Sequence, residues 1–569
     1  MQIPVPHSFR LWRAAPVAVC LAVAARGAVF AASLAGGAVA TGVWACASSK
    51  SVSTPTVPAA QATAEPQRGA KRVTLITNAL VIDGTGSPSR RASVRVADDR
   101  IVAVGVLQPA DGEAIVDARG LTLVPGFIDT HSHADWHLAD HRDALAHVSQ
   151  GITTAVVGQD GGSADTLATF FTRLERAPGA LNLASYVGHN TVRYKVLGEK
   201  YRRAAAPAEI ERMKELVADG MRAGALGLST GLEYDPGIYS TPAEVIELAR
   251  VARGFGGRYI SHMRSEDRAF WAAVDELLEV GRQASIPVQI SHAKLAMRDL
   301  WGRGDSLIRV LDRARQAGVD VTLDIYPYQY WQSSLTVLFP DRNFGDNPEA
   351  LAAAQFALDQ LAPANGLLLS RYAPNPAYVG KTIADIARER GTAPAHTYLA
   401  LIRESEALSA DSVRRRSLAP DGVVEMVIGT SMDERDIERL LQWPYANIAS
   451  DGLLIDRHPR GSGAFARVLA RYVRERRVLT LPDAIRKMTS LAAANVGIRD
   501  RGTIAPGQYA DLVLFDPNLI LDRATPANPH VLSTGIARTW VNGEVVYEDG
   551  RSTGRHPGKV IRRSSHTSQ

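Results

Sequence analysis

Short apolar runs alternate with polar residues and amphipathic segments through most of the chain. The apolar runs that predict buried strands span residues 121–124, 153–158, 182–187, 225–229, 258–261, 287–291, 320–325 and 447–450. Apolar positions at helical spacing between them predict helices, among them 208–221, 242–253 and 270–283. Alternating strands and helices are typical of a parallel sheet, and eight such strands predict an α/β fold built on a (β/α)8 TIM-like barrel.

A second pattern, in which apolar and polar residues alternate singly, occurs at both ends of this region. It predicts short strands at 73–76, 79–82, 92–96 and 101–104, and again at 510–515 and 540–547. The dipeptide Asn542-Gly543 is a hairpin signal within the last segment. We therefore expect a small flanking β-sandwich built from both ends of the chain, residues 72–120 and 501–563, beside a barrel at 121–500.

The segment at about 339–443 is longer than an ordinary connection between a barrel strand and the next. It contains helical patterns of its own, at 352–361 and 383–390. An insertion at the mouth of a barrel is either a lid over the active site or a separate subdomain, and both alternatives stay open.

The N-terminal residues 1–47 resemble an export signal. A positive start with Arg10 and Arg13 precedes an Ala/Val/Leu-rich run, which Arg26 interrupts. Small Ala45 directly before Cys46 is typical of a lipoprotein cleavage box, so we expect an exported, periplasmic or membrane-anchored protein with a lipidated Cys46. An uncleaved transmembrane anchor is the alternative. Residues 48–71, which begin with a stretch rich in Ser, Thr, Pro and Ala, predict a flexible linker.

Composition narrows the classes of function. With 569 residues, 46% of them hydrophobic, the chain can bury a large core. The net charge of +5 is mild, and no basic stripe interleaves with aromatic residues, so we expect no nucleic-acid partner. Both cysteines, Cys20 and Cys46, precede residue 47, so any metal in the folded body is held by nitrogen and oxygen.

Polar residues follow the predicted barrel strands where each strand ends. His131 and His133 follow the first strand, and residues two apart on a strand point to the same side. The later strands are followed by Asp160, His189, His262, His292, Asp324, Tyr326 and Asp451. Because the carboxyl ends of barrel strands meet at one rim, we expect most of these side chains to converge there on a metal ion.

Several segments in this order resemble the metal-dependent amidohydrolase superfamily, and within it the N-acyl-D-amino-acid deacylase (D-aminoacylase) group. They are 126–133, 151–154, 227–231 with Tyr239, 260–266, 291–294, 324–328, 450–452, 458–461, 502–507 and 510–513. The resemblance covers about residues 72 to 563. It implies an enzyme that hydrolyses linear amides, with one or two Zn²⁺ ions at the barrel mouth and a small-molecule N-acyl amino acid as substrate.

The resemblance also implies a set of metal ligands. His262 and His292 match the tighter metal position of the family, while His131 and His133 match a weaker one with Asp451 beside it. The family usually has a bridging cysteine after the second strand, where this chain has Asp160. Replacement of thiolate by carboxylate leaves the identity and number of the metal ions open.

The chemistry of amide hydrolysis assigns further roles. Zinc lowers the pKa of bound water toward about 7, so a metal-bound hydroxide attacks while Asp451 acts as general acid and base. Arg460 suits bidentate binding of the substrate carboxylate, with Lys294 as a further charge. Tyr326 and Ser333 are expected hydrogen-bond donors to the substrate, as the resemblance also implies. Structural or peripheral positions are expected for His137, His141 and His189, and the role of Glu266 stays open.

Two alternatives remain beside this deacylase hypothesis. One is a dipeptidase or cyclic-amide hydrolase on the same barrel, although strand 4 ends in Ser229-Thr230-Gly231 without the lysine that cyclic-amide hydrolases of the superfamily use. The other is a non-catalytic surface lipoprotein that binds a ligand. The sequence carries no prediction of oligomeric state.

Overall fold

The computed structural model describes residues 72–419 and 422–563, which belong to one compact unit. The predictions for residues 1–47 and 48–71, including the export signal, Cys46 and the linker, lie outside the described residues. Among the helices that are described, none combines the length and the apolar character that a membrane crossing requires.

Eight parallel strands form the central barrel. In chain order they are Phe127–Asp129, Ile152–Val157, Asn182–Ser185 continued by Val187–Gly188, Gly227–Gly231, Arg258–His262, Val288–Ile290, Val321–Ile325 and Ala446–Ile448. Each pairs in parallel with the next. Ser132 bridges Gly452 in parallel, and Asp451 N donates to His131 O at 2.8 Å, so the first and eighth strands close the ring. The predicted (β/α)8 barrel is confirmed.

The first barrel strand lies later in the sequence than predicted. Thr122–Pro125, expected to open the barrel, pairs antiparallel with Leu512–Phe515 and in parallel with Val73–Val81. It therefore belongs to the flanking sheet, and Phe127–Asp129 is the barrel strand. Both segments are fully buried, so hydrophobicity alone does not distinguish them.

Helices cover the outside of the barrel. They span Leu145–Val148, Leu167–Arg176, His189–Leu197, Pro207–Arg222, Pro242–Gly254, Phe270–Ala284, Gly304–Gln316, Glu434–Gln442, Arg460–Arg467 continued by Val468–Glu475, Leu481–Met488 and Ser490–Val496. Phe270–Ala284 shows why they form: Phe270, Val274 and Leu277 recur at helical spacing and are buried against the barrel. This helix ends at Ser285, whose left-handed backbone stops it.

Strands from both ends of the chain form a nine-stranded flanking sheet. They are Val73–Val81, Arg90–Ala97, Arg100–Gly105, Ala114–Asp117, Thr122–Pro125, Leu512–Phe515, Ile536–Val541, Glu544–Glu548 and Arg551–Ser552. The two strands expected at 73–76 and 79–82 are one strand with a register shift between Ile76 and Ala79. Asn542 and Gly543 form the predicted tight turn, with φ of 49° and 78°.

The insertion is built on its own three-stranded antiparallel sheet and hydrophobic core. Its strands are Tyr330–Ser333, Leu367–Tyr372 and Glu425–Thr430, and its helices are Pro348–Phe356 continued by Ala357–Leu361, Ile383–Arg390, Pro394–Ala410 and Ser412–Leu418. It therefore starts earlier than the predicted 339–443 boundary. Glu434–Gln442, expected inside it, packs instead on Gly304–Gln316 as a barrel helix, with Asp436 Oδ1 accepting from Gly304 N at 2.8 Å.

Candidate metal centre

Four side chains from three barrel strand ends form a first group of potential metal ligands: His131, His133, Asp160 and Asp451. His131 Nε2 lies 3.4 Å from Asp160 Oδ1 and 3.5 Å from Asp451 Oδ1. His133 Nε2 lies 3.5 Å from Asp160 Oδ2 and 3.2 Å from Asp451 Oδ1. The two imidazoles and two carboxylates thus face one point.

A second group shares Asp160 with the first and adds His262 and His292 from the fifth and sixth strand ends. His292 Nε2 is 3.3 Å from Asp160 Oδ1 and 3.1 Å from His262 Nδ1. All six residues predicted as metal ligands therefore converge, with Asp160 between the two groups. Nitrogen and carboxylate oxygen donors in this number suit zinc.

The hydrogen bonding of this cluster is incomplete in a way that fits a cation. Neither ring nitrogen of buried His131 has a hydrogen-bond partner, and Asp160 Oδ1 has none either. Burial lowers the pKa of His131, but facing Asp160 and Asp451 outweighs burial and raises the pKa well above its usual value. The site thus attracts positive charge, which a divalent ion between these donors would supply.

Three of these residues have strained backbone. Asp160, His292 and Asp451 have φ of 52°, 33° and 51°, in the left-handed region that L-residues other than glycine rarely adopt. Such strain persists where the surrounding structure enforces it, commonly at functional sites. Here it turns each side chain at its strand end into the barrel mouth.

Asp129, which lies fully buried beneath the ligands, joins the first and eighth strand ends. Its carboxylate accepts from Ser450 N at 2.8 Å and from Ser450 Oγ, and it lies 3.4 Å from His131 N. Asp324 acts similarly on the sixth strand end, because its Oδ1 accepts from His292 N at 2.6 Å. Through these hydrogen bonds the two carboxylates hold the backbone of the strand ends that carry the candidate ligands.

Glu233, on the loop after the fourth strand, was missed by the sequence analysis. Its Oε2 lies 2.9 Å from His262 Nε2. When Glu233 accepts a hydrogen bond there, the ring proton lies on Nε2 and the Nδ1 lone pair faces His292 and Asp160. Burial lowers the pKa of His262 to about 4, which favours the neutral imidazole that binds metal. Only its position two residues after Gly231 pointed to Glu233.

The four predicted substrate-binding residues, Lys294, Tyr326, Ser333 and Arg460, line the same cavity as the ligands. Arg460 is buried and ion-paired to Asp451 Oδ2, and its guanidinium lies 5.1 Å from the centre of the Tyr326 ring. Ser333 Oγ approaches Tyr234 OH at 3.5 Å.

Lys294 and Glu266 form a buried ion pair beside the second ligand group. Lys294 Nζ lies 2.7 Å from both Glu266 oxygens, and Glu266 Oε1 is 3.1 Å from His292 Nδ1. Glu266, whose role the sequence left open, therefore contacts the ring of a candidate ligand, as an orienting carboxylate would.

Three further histidines considered in the sequence analysis do not line the cavity. His189 is buried, and its Nε2 lies 2.9 Å from Glu244 Oε1. It does not line the cavity. His137 and His141 do not line the cavity either. The structural or peripheral roles expected for these three agree with their positions.

The cavity above the cluster has a volume of about 200 Å³. The metal-ligand candidates form part of its lining, and the insertion forms another part, including Trp331, Val337, Leu338 and Val424. The insertion therefore contributes part of the cavity wall.

Comparison with known proteins agrees with this architecture. Residues 114–547 match the model of the amidohydrolase family, and the chain belongs to this family. It is 37% identical over 518 residues to N-acyl-D-glutamate deacylase of Alcaligenes xylosoxydans xylosoxydans, covering 86% of this chain and 96% of that protein. It is 34% identical over 516 residues to D-aminoacylase of the same organism, covering 86% and 98%.

A solved structure has a similar fold. The crystal structure of N-acyl-D-glutamate deacylase from Bordetella bronchiseptica, complexed with zinc and a phosphonate mimic of the tetrahedral intermediate, is 35% identical. It matches with a TM-score of 0.75 over 86% of this chain and all of that one (100%).

Proposed function

We propose that this protein is a zinc-dependent hydrolase that removes the acyl group from N-acyl-D-amino acids. One observation carries the proposal: two groups of potential ligands share Asp160, and Arg460 lies beside them in the same cavity. The names of relatives that match nearly over their full length, D-aminoacylase and N-acyl-D-glutamate deacylase, support the choice of substrate class.

The residues divide into a metal-holding set and a substrate-holding set. His262, His292 and Asp160 would hold one ion, and His131 and His133 with Asp160 a second. When bound, zinc lowers the pKa of a water molecule and polarises the amide carbonyl. No thiolate is among the proposed ligands, since neither cysteine lies in this region.

Asp451 is the proposed general acid and base. Its Oδ1 faces the ligand cluster, where a carboxylate can take a proton from water and deliver it to the leaving amine. Arg460 is the proposed partner of the substrate carboxylate, because its Nε is buried without an acceptor. Tyr326 and Ser333 line the cavity beside it and are proposed as hydrogen-bond donors.

A substrate panel tests this function against the alternatives. N-acetyl-D-amino acids, their L-isomers, dipeptides and hydantoins are each incubated with zinc-loaded protein, and the released amine or ring-opened product is measured. We expect metal-dependent turnover of the N-acetyl-D-amino acids above all others. Preferred turnover of dipeptides or hydantoins, or no turnover of any member, would contradict the proposal.

We propose in addition that the chain is exported and attached to a membrane through lipidated Cys46. The support is the sequence of residues 1–47, with its positive start, apolar run and Ala45-Cys46 box. Cell fractionation of full-length protein and of a Cys46→Ala variant tests the attachment. We expect the wild type with the membranes and the variant released from them, while equal distribution of the two would contradict it.

A further inference from the structure

Two lysine or arginine side chains, Lys294 and Arg460, line the cavity among the residues that the structure describes. Lys294 Nζ lies 2.7 Å from each oxygen of Glu266 and 2.6 Å from His292 Nδ1. Both Glu266 contacts pair the ammonium charge of Lys294 with a buried carboxylate. The charge of Lys294 is therefore already compensated within the cavity wall.

Arg460 is different, because part of its guanidinium is unused. Its Nη1 donates to Asp451 Oδ2, while its Nε is buried and has no acceptor. A guanidinium has five N–H donors in a planar fork, so one further carboxylate can be bound along the free edge. In the proposed reaction this position belongs to the α-carboxylate, which every N-acyl amino acid carries.

The rest of the cavity lining offers no positive charge that could pair with a second ligand carboxylate. Apart from the metal-ligand candidates, its lining carries the acids Asp135, Glu233, Asp235, Glu266, Asp267 and Glu425. The wall from the insertion is apolar at Val337, Leu338 and Val424. An acidic substrate side chain would be buried there without a cation, at a high cost in free energy.

Glu425 places an acid, not a cation, at the insertion wall. It is 4% exposed, its Oε2 accepts from Leu335 N at 2.8 Å, and its Oε1 has no hydrogen-bond partner. Burial raises the pKa of Glu425 to about 8. Glu425 therefore supplies no positive charge to an anionic ligand group, and above its pKa it adds a second negative charge.

We infer that the cavity accepts N-acyl-D-amino acids with uncharged side chains and discriminates against those with acidic side chains. This inference rests on the proposed deacylase function and narrows its substrate class. The inferred side-chain preference differs from the D-glutamate preference in the names of two relatives, although both match this chain over most of their length.

The test compares N-acetyl-D-glutamine with N-acetyl-D-glutamate, which have nearly the same shape and differ in charge. N-acetyl-D-leucine and N-acetyl-D-methionine complete the panel. For zinc-loaded wild-type protein we expect kcat/KM for the glutamine substrate to exceed that for the glutamate substrate at least about 100-fold. Equal or faster turnover of the glutamate substrate would overturn the inference and leave the proposed function standing. Absence of turnover for the whole panel would overturn the proposed function, and the inference with it.

A variant with a new cation tests the physical cause. Leu338→Arg places a guanidinium in the apolar wall, and Leu338→Met is the uncharged control. We expect the glutamate-to-glutamine ratio of kcat/KM to rise at least about tenfold in Leu338→Arg and to keep its wild-type value in Leu338→Met. An unchanged ratio in a folded Leu338→Arg protein would overturn the charge argument, and if this variant fails to fold, the wild-type panel decides.

Discussion

Arg460 holds one oxygen of the Asp451 carboxylate, Oδ2, while the other, Oδ1, lies 3.2 Å from His133 Nε2. Asp451 thus connects Arg460 to the cluster of candidate metal ligands. Burial raises the pKa of Asp451, but the charge of Arg460 and the facing histidines together outweigh burial and hold the pKa below its usual value. The carboxylate is therefore ionised at neutral pH.

Asp451→Asn removes this proton acceptor and keeps the shape of the side chain. We expect kcat for an N-acetyl-D-amino acid to fall by about 10²- to 10⁴-fold, which is the usual contribution of a general acid or base. Steady-state kinetics give kcat, and metal content measured on the same sample shows whether the ions are retained. A kcat within threefold of wild type would remove Asp451 from the proton-transfer role.

Arg460→Lys keeps the positive charge and loses the planar fork. We expect KM to rise at least about tenfold, because a point charge cannot bind a carboxylate bidentately while still paired with Asp451. The carboxamide analogue of the same substrate is the control, since it lacks the group that Arg460 binds. If the variant loses as much kcat/KM on the carboxamide as on the acid, Arg460 does not bind the substrate carboxylate.

Glu233→Gln tests the orientation of His262. The change weakens the hydrogen bond that fixes the ring proton on Nε2, so we expect zinc affinity to fall by about 10- to 100-fold. Competition with a fluorescent chelator measures this affinity directly, without relying on turnover. Glu279→Gln, on an exposed helix surface, is the matched control and should keep the wild-type affinity. Equal affinities in both variants would argue against the orienting role.

The convergence of the candidate ligands was predictable because it follows from topology. His131, His133, His262, His292 and Asp451 each stand directly after an apolar strand, and parallel barrel strands bring such positions to one rim. The supporting carboxylates were harder to predict. Glu233 lies on a loop whose path depends on tertiary packing, and its position two residues after Gly231 is the only local signal for it.

The boundaries of the first barrel strand and of the insertion were also hard to predict from the sequence. Thr122–Pro125 and Phe127–Asp129 are adjacent buried strands that belong to different sheets, and Gly126 separates them by one residue. The insertion starts at Tyr330 because its first strand pairs with Glu425–Thr430, almost 100 residues later. Pairing at such a distance leaves no periodic signal in the local sequence.

Glu425→Gln should change the pH dependence of stability. Burial raises the pKa of Glu425 to about 8 from 4.5, so between these values the unfolded chain ionises this group while the folded protein keeps it neutral. Its contribution to stability therefore falls as pH rises, with a slope of about 1.4 kcal/mol per pH unit. Urea unfolding from pH 5 to pH 8 should show the variant gaining stability relative to wild type as pH increases. Parallel curves for the two proteins would contradict this account.

The central claim is that histidines from distant parts of the chain hold a metal ion on which hydrolysis depends. The most direct measurement is the zinc content of wild type, His292→Ala and the exposed-residue control His141→Ala, with N-acetyl-D-amino-acid turnover on the same samples. We predict one or two ions per chain in wild type and control, loss of turnover on chelation with recovery on adding zinc, and loss of metal and turnover in His292→Ala. Unchanged metal content and turnover in His292→Ala, or full turnover by metal-free wild type, would contradict the account.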